Sequence, residues 1–559
     1  MDRLATDGFG ACNAATQTGA VSRPTDPFSS DTLAALFQRS ATWHADRPAL
    51  WVEGGCVSYR ELNELAVRIA HGLMGAGYGD GQARCAIIGN RGLIDFAGIL
   101  GALLARCAYV PLNVRHPPQR LAHFMHEAEA QALVVDHKHL DHARFLLEAV
   151  PQPVLVLLPD TVAMPDWGAS MARHRFLCRS DLSQTHTAGI RPGNAEEGAY
   201  LLFTSGSTGV PKGVLVRNRN VMPYLRSVAA RYAPTPEDRC TQLFDLTFDL
   251  SVHDMFLCWG AGATLFRVPD NARFAPRDFV RRNALTMWFS VPSTAAMMLG
   301  LRALRPDDFP SLRLGLFCGE ALPKRLAVAW AAAAPNAVIE NLYGPTEATI
   351  ALTAFRLPRD AKAMDALPEV VPIGAPLPEQ DALPINPSGQ PAADGEEGEL
   401  CLAGSQVTDG YWRRADLTDQ RFVRFNWDDR IWYRTGDRAR HTREHGLVFL
   451  GRLDRQVKIA GHRVELQEVE AVLHQAADAN AAAIAWPLGP DGLARGIVGF
   501  VGQTTRPIDD MLDACRRTLP PYAVPSAIHH VDDWPLNSSG KTDHARLRAL
   551  METPKCSKT

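Results

Sequence analysis

The chain has 559 residues, 46% hydrophobic and 21% charged, which is the composition of an ordinary globular protein with length for three or four domain-sized units. Lys+Arg total 58 against Asp+Glu 61, a net charge of -3, and this near-balance excludes an electrostatic nucleic-acid binder. No apolar stretch of about 18 residues runs uninterrupted, so no transmembrane helix is expected; the longest candidate, from Gly98 to Leu112, is broken by Arg106. The 11 cysteines, from Cys12 to Cys556, form no C-x-x-C pair and no zinc-spaced cluster, which reads as reduced thiols in a soluble, cytoplasmic protein.

In chain order, residues 1–26 are polar and rich in small side chains, a disordered leader without the apolar core of a signal sequence. Strand-like Cys85–Ile88 then precedes a helix-like stretch from Leu93 to Ala105 and the run Tyr109-Val110-Pro111-Leu112. The pattern recurs at residues 132–136, 154–158 and 199–203, which predicts parallel sheets covered by helices. The Pro-, Gly- and acid-rich segment 384–398 is a candidate boundary, followed by short strands at 399–402, 431–433 and 447–450. Around Arg452-Leu453-Asp454 a second boundary is expected, after which strand 457–460 gives way to a helical run. The predicted fold class is α/β. Residues 27–453 would form a large core of mostly parallel sheets with a β-rich part, and 454–550 a small α+β unit with a tail at 551–559.

The most distinctive segment is an apolar strand, Leu201-Leu202-Phe203, that runs into Thr204-Ser205-Gly206-Ser207-Thr208-Gly209 and then Lys212. Small residues let backbone N–H groups, hydroxyls and a cation approach a polyphosphate, although the spacing is not that of a Walker A loop. Alone, the segment reads equally as a flexible surface loop. Asn341-Leu342-Tyr343-Gly344-Pro345-Thr346-Glu347 offers an aromatic face, a turn and a Thr-Glu pair able to hold Mg2+. Tyr433-Arg434-Thr435-Gly436-Asp437 places a carboxylate after a tight turn, suited to ribose hydroxyls or simply to water. Gly540-Lys541 puts a loop-borne point charge near the end of the chain.

Taken together and in this order, these segments resemble the adenylate-forming enzymes, specifically the amino-acid adenylation domains of nonribosomal peptide synthetases. The resemblance extends through Ser58-Tyr59-Arg60-Glu61-Leu62, Ala108-Tyr109-Val110-Pro111-Leu112 and Gly398-Glu399-Leu400. It implies a small C-terminal domain that rotates between two half-reactions: formation of an acyl-AMP from ATP, then transfer to a phosphopantetheine thiol. By the same resemblance Thr204, Ser205, Gly206, Ser207, Thr208, Gly209 and Lys212 would hold the β- and γ-phosphates. Thr346 would contact the α-phosphate and Glu347 the Mg2+. Tyr343 would stack on adenine beside Asn341 and Gly344, with Gly319-Glu320-Ala321 opposite. Asp437 and Arg452 would hold the ribose, and Lys541 would bridge the substrate carboxylate and α-phosphate. Asp454 matches the hinge. Gly461 matches the segment facing the thioester-forming tunnel, where Ala460 replaces the usual arginine.

Phe248-Asp249-Leu250-Ser251 resembles the family's substrate-pocket motif. Asp249 would pair with an α-ammonium group, with Asp245 as its rival for that role. Leu250, His253, Phe289, Leu316 and Cys318 would line the pocket, closed by Leu342, Ile350 and Ala351. Such bulky apolar walls imply a small neutral amino acid. Phe317-Cys318-Gly319-Glu320-Ala321 also resembles D-alanine–carrier protein ligases, which favours alanine, serine or another small residue. Only 18 residues follow Lys541, too few for a carrier domain of about 80 residues, so a separate carrier protein or coenzyme A is the expected acceptor. An acyl- or aryl-CoA ligase and a non-catalytic nucleotide- or carrier-binding scaffold are the competing readings. Asp249 argues against the first, because des-amino acids do not need that carboxylate. The intact Lys212, Glu347, Asp437 and Lys541 argue against the second.

Overall fold

A computed structural model describes residues 28–182, 189–191, 193–205, 211–273, 276–489, 493–536 and 542–552. Of the sequence expectations, the leader, the loop residues Gly206, Ser207, Thr208 and Gly209, Lys541 and the tail from 553 lie outside these residues.

Apolar runs buried on both faces make the parallel strands, as expected for sheets covered by helices. Six parallel strands (Arg175–Cys178, Leu155–Leu158, Ala132–Val135, Arg84–Gly89, Ala108–Asn113 and Gly198–Thr204) stand side by side, with Lys212–Arg217 antiparallel at the edge. A second sheet of nine strands is parallel through its centre, where Arg239–Gln242, Met287–Ser290, Leu314–Phe317 and Val338–Tyr343 neighbour one another. The helix Leu93–Leu104 is buried along nearly its whole length, as a helix that is apolar all round must be. It crosses Tyr59–Gly75 so closely that a Cβ on Gly101 would lie 2.6 Å from Ile69 Cγ2.

Segment 384–398 is not a domain boundary. It is the connection of an antiparallel hairpin, Gln380–Ile385 with Glu397–Gly404, inside a five-stranded sheet that also holds Asp428–Thr442. Its turn composition is that of a long hairpin loop, which local sequence cannot distinguish from a linker.

After Arg452 the chain forms the hairpin Gln456–Ile459/His462–Glu465, then the helix Leu466–Ala477 and a three-stranded sheet. Two hydrophobic clusters in this region draw their buried residues from positions 459–547 alone. The Arg120 Nη1–Glu468 Oε1 ion pair, 2.7 Å and almost wholly buried, joins this C-terminal unit to the rest.

Gly374 joins the nine-stranded sheet to the five-stranded one through its bridge to Leu447. Its φ is +77°, and a Cβ there would run into the Ala354 carbonyl oxygen. Gly374→Ala is expected to destabilise the large sheets by about 3 kcal/mol or more, measured as a lowered urea midpoint. Gly389→Ala, with φ +78° but open space around it, should cost only about 1 kcal/mol.

Candidate active site

The C-terminal ends of the central strands, the β-rich sheet and the Gln456–Glu465 hairpin converge on one cleft, which encloses about 1110 Å³ including its open mouth. Parallel strands place their ligand-binding loops at such ends. Thr204, Ser205, Asp249, Tyr343, Thr346 and Asp437 all line it.

Glu347 sits on the single turn Thr346–Ala348 and is fully buried. Its Oε1 accepts from the Tyr411 hydroxyl at 2.8 Å, and Lys212 Nζ lies 3.5 Å away. Arg463 Nη1 stands 3.3 Å from both carboxylate oxygens. Burial pushes this carboxyl up, but Arg463 and Lys212 more than offset it and hold it at about 2. Burial and the neighbouring Arg463 in turn lower Lys212 to about 8. The site therefore carries a fixed negative charge ringed by cations.

Tyr343 donates its hydroxyl to Asp437 Oδ2 at 2.5 Å, and Asp437 Oδ1 accepts from Arg452 at 2.6 Å. Arg452 also grips Asp454 with two bonds of 2.8 and 2.7 Å. Asp437 lies within the long strand Asp428–Thr442 and is buried, not in a solvated turn.

Asp249 precedes the helix Leu250–Gly260 and is buried, with its Oδ2 accepting from the Ile350 N–H at 3.1 Å. That N–H is aimed by a strained turn: Thr349 and Ile350, both β-branched, have φ of 55° and 71°. Gln406 holds the turn, its Nε2 donating to the Thr349 and Ala351 carbonyls at 3.2 and 2.8 Å. Burial pushes Asp249 up to about 6. Asp245 is engaged elsewhere, accepting from the Thr247 backbone and hydroxyl.

The structure brings Asp249, Leu250 and Cys318 to the cleft wall. His253, Phe289 and Leu316 instead line a separate small cavity with Cys240, Thr241 and Trp288. His253 is tied to the Tyr224 hydroxyl at 2.7 Å, and burial lowers it to about 3. Leu342, Ile350 and Ala351 are buried in the same hydrophobic cluster. Asn341 faces away and donates to the Val371 and Pro372 carbonyls. Glu320 caps Ser293 N at 2.8 Å and accepts from Gly461 N at 2.6 Å, so it seats the hairpin; Ala321 is half-buried beside it.

Sequence reasoning misses Tyr411, Gln406 and Arg463, and also His116 and Tyr522, which line the outer cleft. Only the arginine carries a local signal, as a charge beside a Gly in a hairpin turn.

An acid whose folded value is raised from about 3.8 to about 6 favours the fold below pH 4 and loses that stability as pH rises through 6. For buried Asp249 the full penalty is about 3 kcal/mol. Asp249→Asn is thus expected to raise the unfolding midpoint of the free protein at pH 7.5 and to have a much smaller effect, about 1 kcal/mol, at pH 4.5. Equal shifts at both pH values would contradict a strained carboxylate.

Among curated relatives, a linear gramicidin synthase of Brevibacillus parabrevis is 30% identical over 92% of this chain, which spans only 9% of that protein. The L-proline–[L-prolyl-carrier protein] ligase of Streptomyces coelicolor is 32% identical, covering 90% of this chain and 94% of its own length. Among solved structures, the Vibrio cholerae adenylation domain AlmE, in complex with glycyl-adenosine-5'-phosphate, superposes with a TM-score of 0.85 at 31% identity, over 96% of this chain and 100% of its own. The sequence profile of the AMP-binding enzymes matches residues 37–412. With the cleft of buried Glu347, Asp437 and Asp249 at its centre, this chain belongs to the AMP-binding enzyme family.

Proposed function

We propose that the protein activates a small neutral α-amino acid with ATP and transfers it to the phosphopantetheine thiol of a separate carrier protein. One observation carries the substrate class: Asp249 is a buried carboxylate in the cleft wall, raised to about 6 and without a cationic hydrogen-bond partner among the described residues. An α-ammonium group supplies the missing charge, whereas a des-amino acid leaves the carboxylate uncompensated. Size is limited by Leu250 and Cys318 in the cleft wall, with Phe289 and Leu316 buried in the same hydrophobic cluster. Glycine, alanine and serine fit that limit. The likeness to a glycyl-adenylate complex and to a proline–carrier protein ligase supports amino-acid activation.

In the first half-reaction the substrate carboxylate oxygen attacks the α-phosphorus of ATP. The bond to the bridging oxygen breaks, and pyrophosphate leaves. Tyr343 offers a face for the adenine and Asp437 an acceptor for the ribose hydroxyls, while Thr204, Ser205 and Lys212 meet the phosphates. Glu347 fits a divalent cation, because it is a buried carboxylate held ionised, at about 2, next to the cleft-lining Thr346. Mg2+ held there would neutralise phosphate charge during transfer. Lys541 supplies charge at the α-phosphate. In the second half-reaction the thiol sulfur attacks the acyl carbonyl and AMP leaves. Residues 454–550 turn about Asp454 between the two, and the seating of Gly461 against Glu320 supports assigning the described orientation to the second.

Pyrophosphate exchange across the proteinogenic amino acids, both enantiomers of each and several carboxylic acids tests this reading. Glycine, alanine or serine should lead, and Asp249→Ala should lower their activation by about 3 kcal/mol or more in kcat/KM. A preference for an aryl or fatty acid over every amino acid would replace this reading with that of an acyl-CoA ligase. Lys541→Ala should lose adenylate formation by about 3 kcal/mol while sparing transfer from preformed aminoacyl-AMP. Equal loss in both steps would remove Lys541 from that role.

A further inference from the structure

The small cavity lined by His253, Phe289 and Leu316 also receives three sulfur-bearing side chains that the reading above leaves unused: Cys240, Cys258 and Met287. Cys240 on the strand Arg239–Gln242 stands directly beside Met287 on the strand Met287–Ser290, with 3.7 Å between Cys240 Sγ and Met287 Sδ. Cys258 comes from the helix Leu250–Gly260, which packs on the first strand, and its thiol makes a hydrogen bond with Cys240. All three side chains are buried, and both cysteines are free thiols. Asp254 lines the same cavity, and its buried Oδ2 has no partner among the described residues. Burial pushes that carboxyl well above the usual carboxylate range, so it is a neutral O–H donor. Arg313 Nη2 approaches Met287 Sδ at 3.8 Å, although its charge is shared with Asp238 at 2.6 Å.

Two thiols and a thioether converging on one cavity are the donor set of a soft cation. Three sulfurs around one ion, at bonds of about 2.3 Å in a plane, lie about 4 Å apart. The observed 3.7 Å between Cys240 and Met287 is within easy reach of that spacing. We propose that Cys240, Cys258 and Met287 form a trigonal site for copper(I). On binding, both thiols lose their protons to water, and the ion joins two thiolates and the thioether sulfur with no change in oxidation state. The product carries one net negative charge, which the Asp254 O–H meets by donating to a thiolate. Harder ions are not served: no group of three or more His, Cys, Asp or Glu among the described residues is placed to hold a metal, and a thioether is a poor third donor for zinc. The site does not depend on the AMP-forming reading.

The probe is copper(I) itself, added without oxygen to the full chain, in competition with the coloured copper(I) chelator bicinchoninate. Cys240→Ser and Cys258→Ser should each weaken the binding seen in wild type at least about 100-fold, and Met287→Leu, which keeps the apolar volume, about tenfold. X-ray absorption at the copper edge should count three sulfurs in wild type and two in Met287→Leu. Cys56→Ser, which removes an exposed thiol, should change neither reading. Thermal unfolding checks that each variant is folded; where a serine variant is not, the sulfur count in Met287→Leu decides. Unchanged copper(I) affinity in both serine variants would overturn the proposal, as would three sulfurs still counted in Met287→Leu. An equal loss in Cys56→Ser would also overturn it, because unspecific thiol binding would then explain the effect. Zn2+ displacing copper(I) at equal concentration would refute the preference for a soft ion.

Discussion

A carboxylate removed entirely from water is tolerated only when opposite charge meets it. Glu347 imposes that condition on this protein. Its partners come from three separate parts of the chain: Lys212 at the start of the edge strand Lys212–Arg217, Tyr411 from the β-rich region and Arg463 from the C-terminal hairpin. Tyr411 also receives the Lys212 ammonium, by a 2.9 Å bond and by a ring contact at 4.2 Å. One charge thus ties the parallel sheets, the antiparallel sheet and the mobile unit of the proposed cycle to a common point. The cleft lies where those three meet.

Asp249 shows the same physics with the opposite sign. Both carboxylates are buried, but Glu347 is held at about 2 by Arg463 and Lys212, while burial raises Asp249 to about 6. The strained Thr349–Ile350 turn, propped by Gln406, gives Asp249 one backbone N–H and no charge. The difference between the two environments is what separates the proposed metal seat from the proposed ammonium seat in a single cleft.

Much of the architecture is legible in the sequence. Cys85–Ile88 and the stretch from Leu93 fall within one residue of the observed Arg84–Gly89 and Leu93–Leu104, because continuous apolar runs between turn residues have few other solutions. Lys212, Glu347, Asp437 and Asp249 stand out through the order of the motifs that carry them, since each segment taken singly reads as an ordinary turn or loop. Segment 384–398 reads wrongly as a boundary, since a long hairpin turn and a linker share the same composition. Asn341 looks like part of the cleft because it lies close to Tyr343 along the strand, but its side chain is drawn to the Val371 and Pro372 carbonyls instead.

The sequence alone determined the alternation of strands and helices and the family, because these depend on periodicity and on short ordered motifs. Only the tertiary structure decided that Tyr411 meets Lys212 across 199 residues, that Gln406 braces a turn 57 residues away, and that Arg463 reaches Glu347 across 116. These contacts follow from how whole sheets and units are placed against one another. No local pattern of residue types encodes that placement, since each partner pays its desolvation cost only in the assembled cleft.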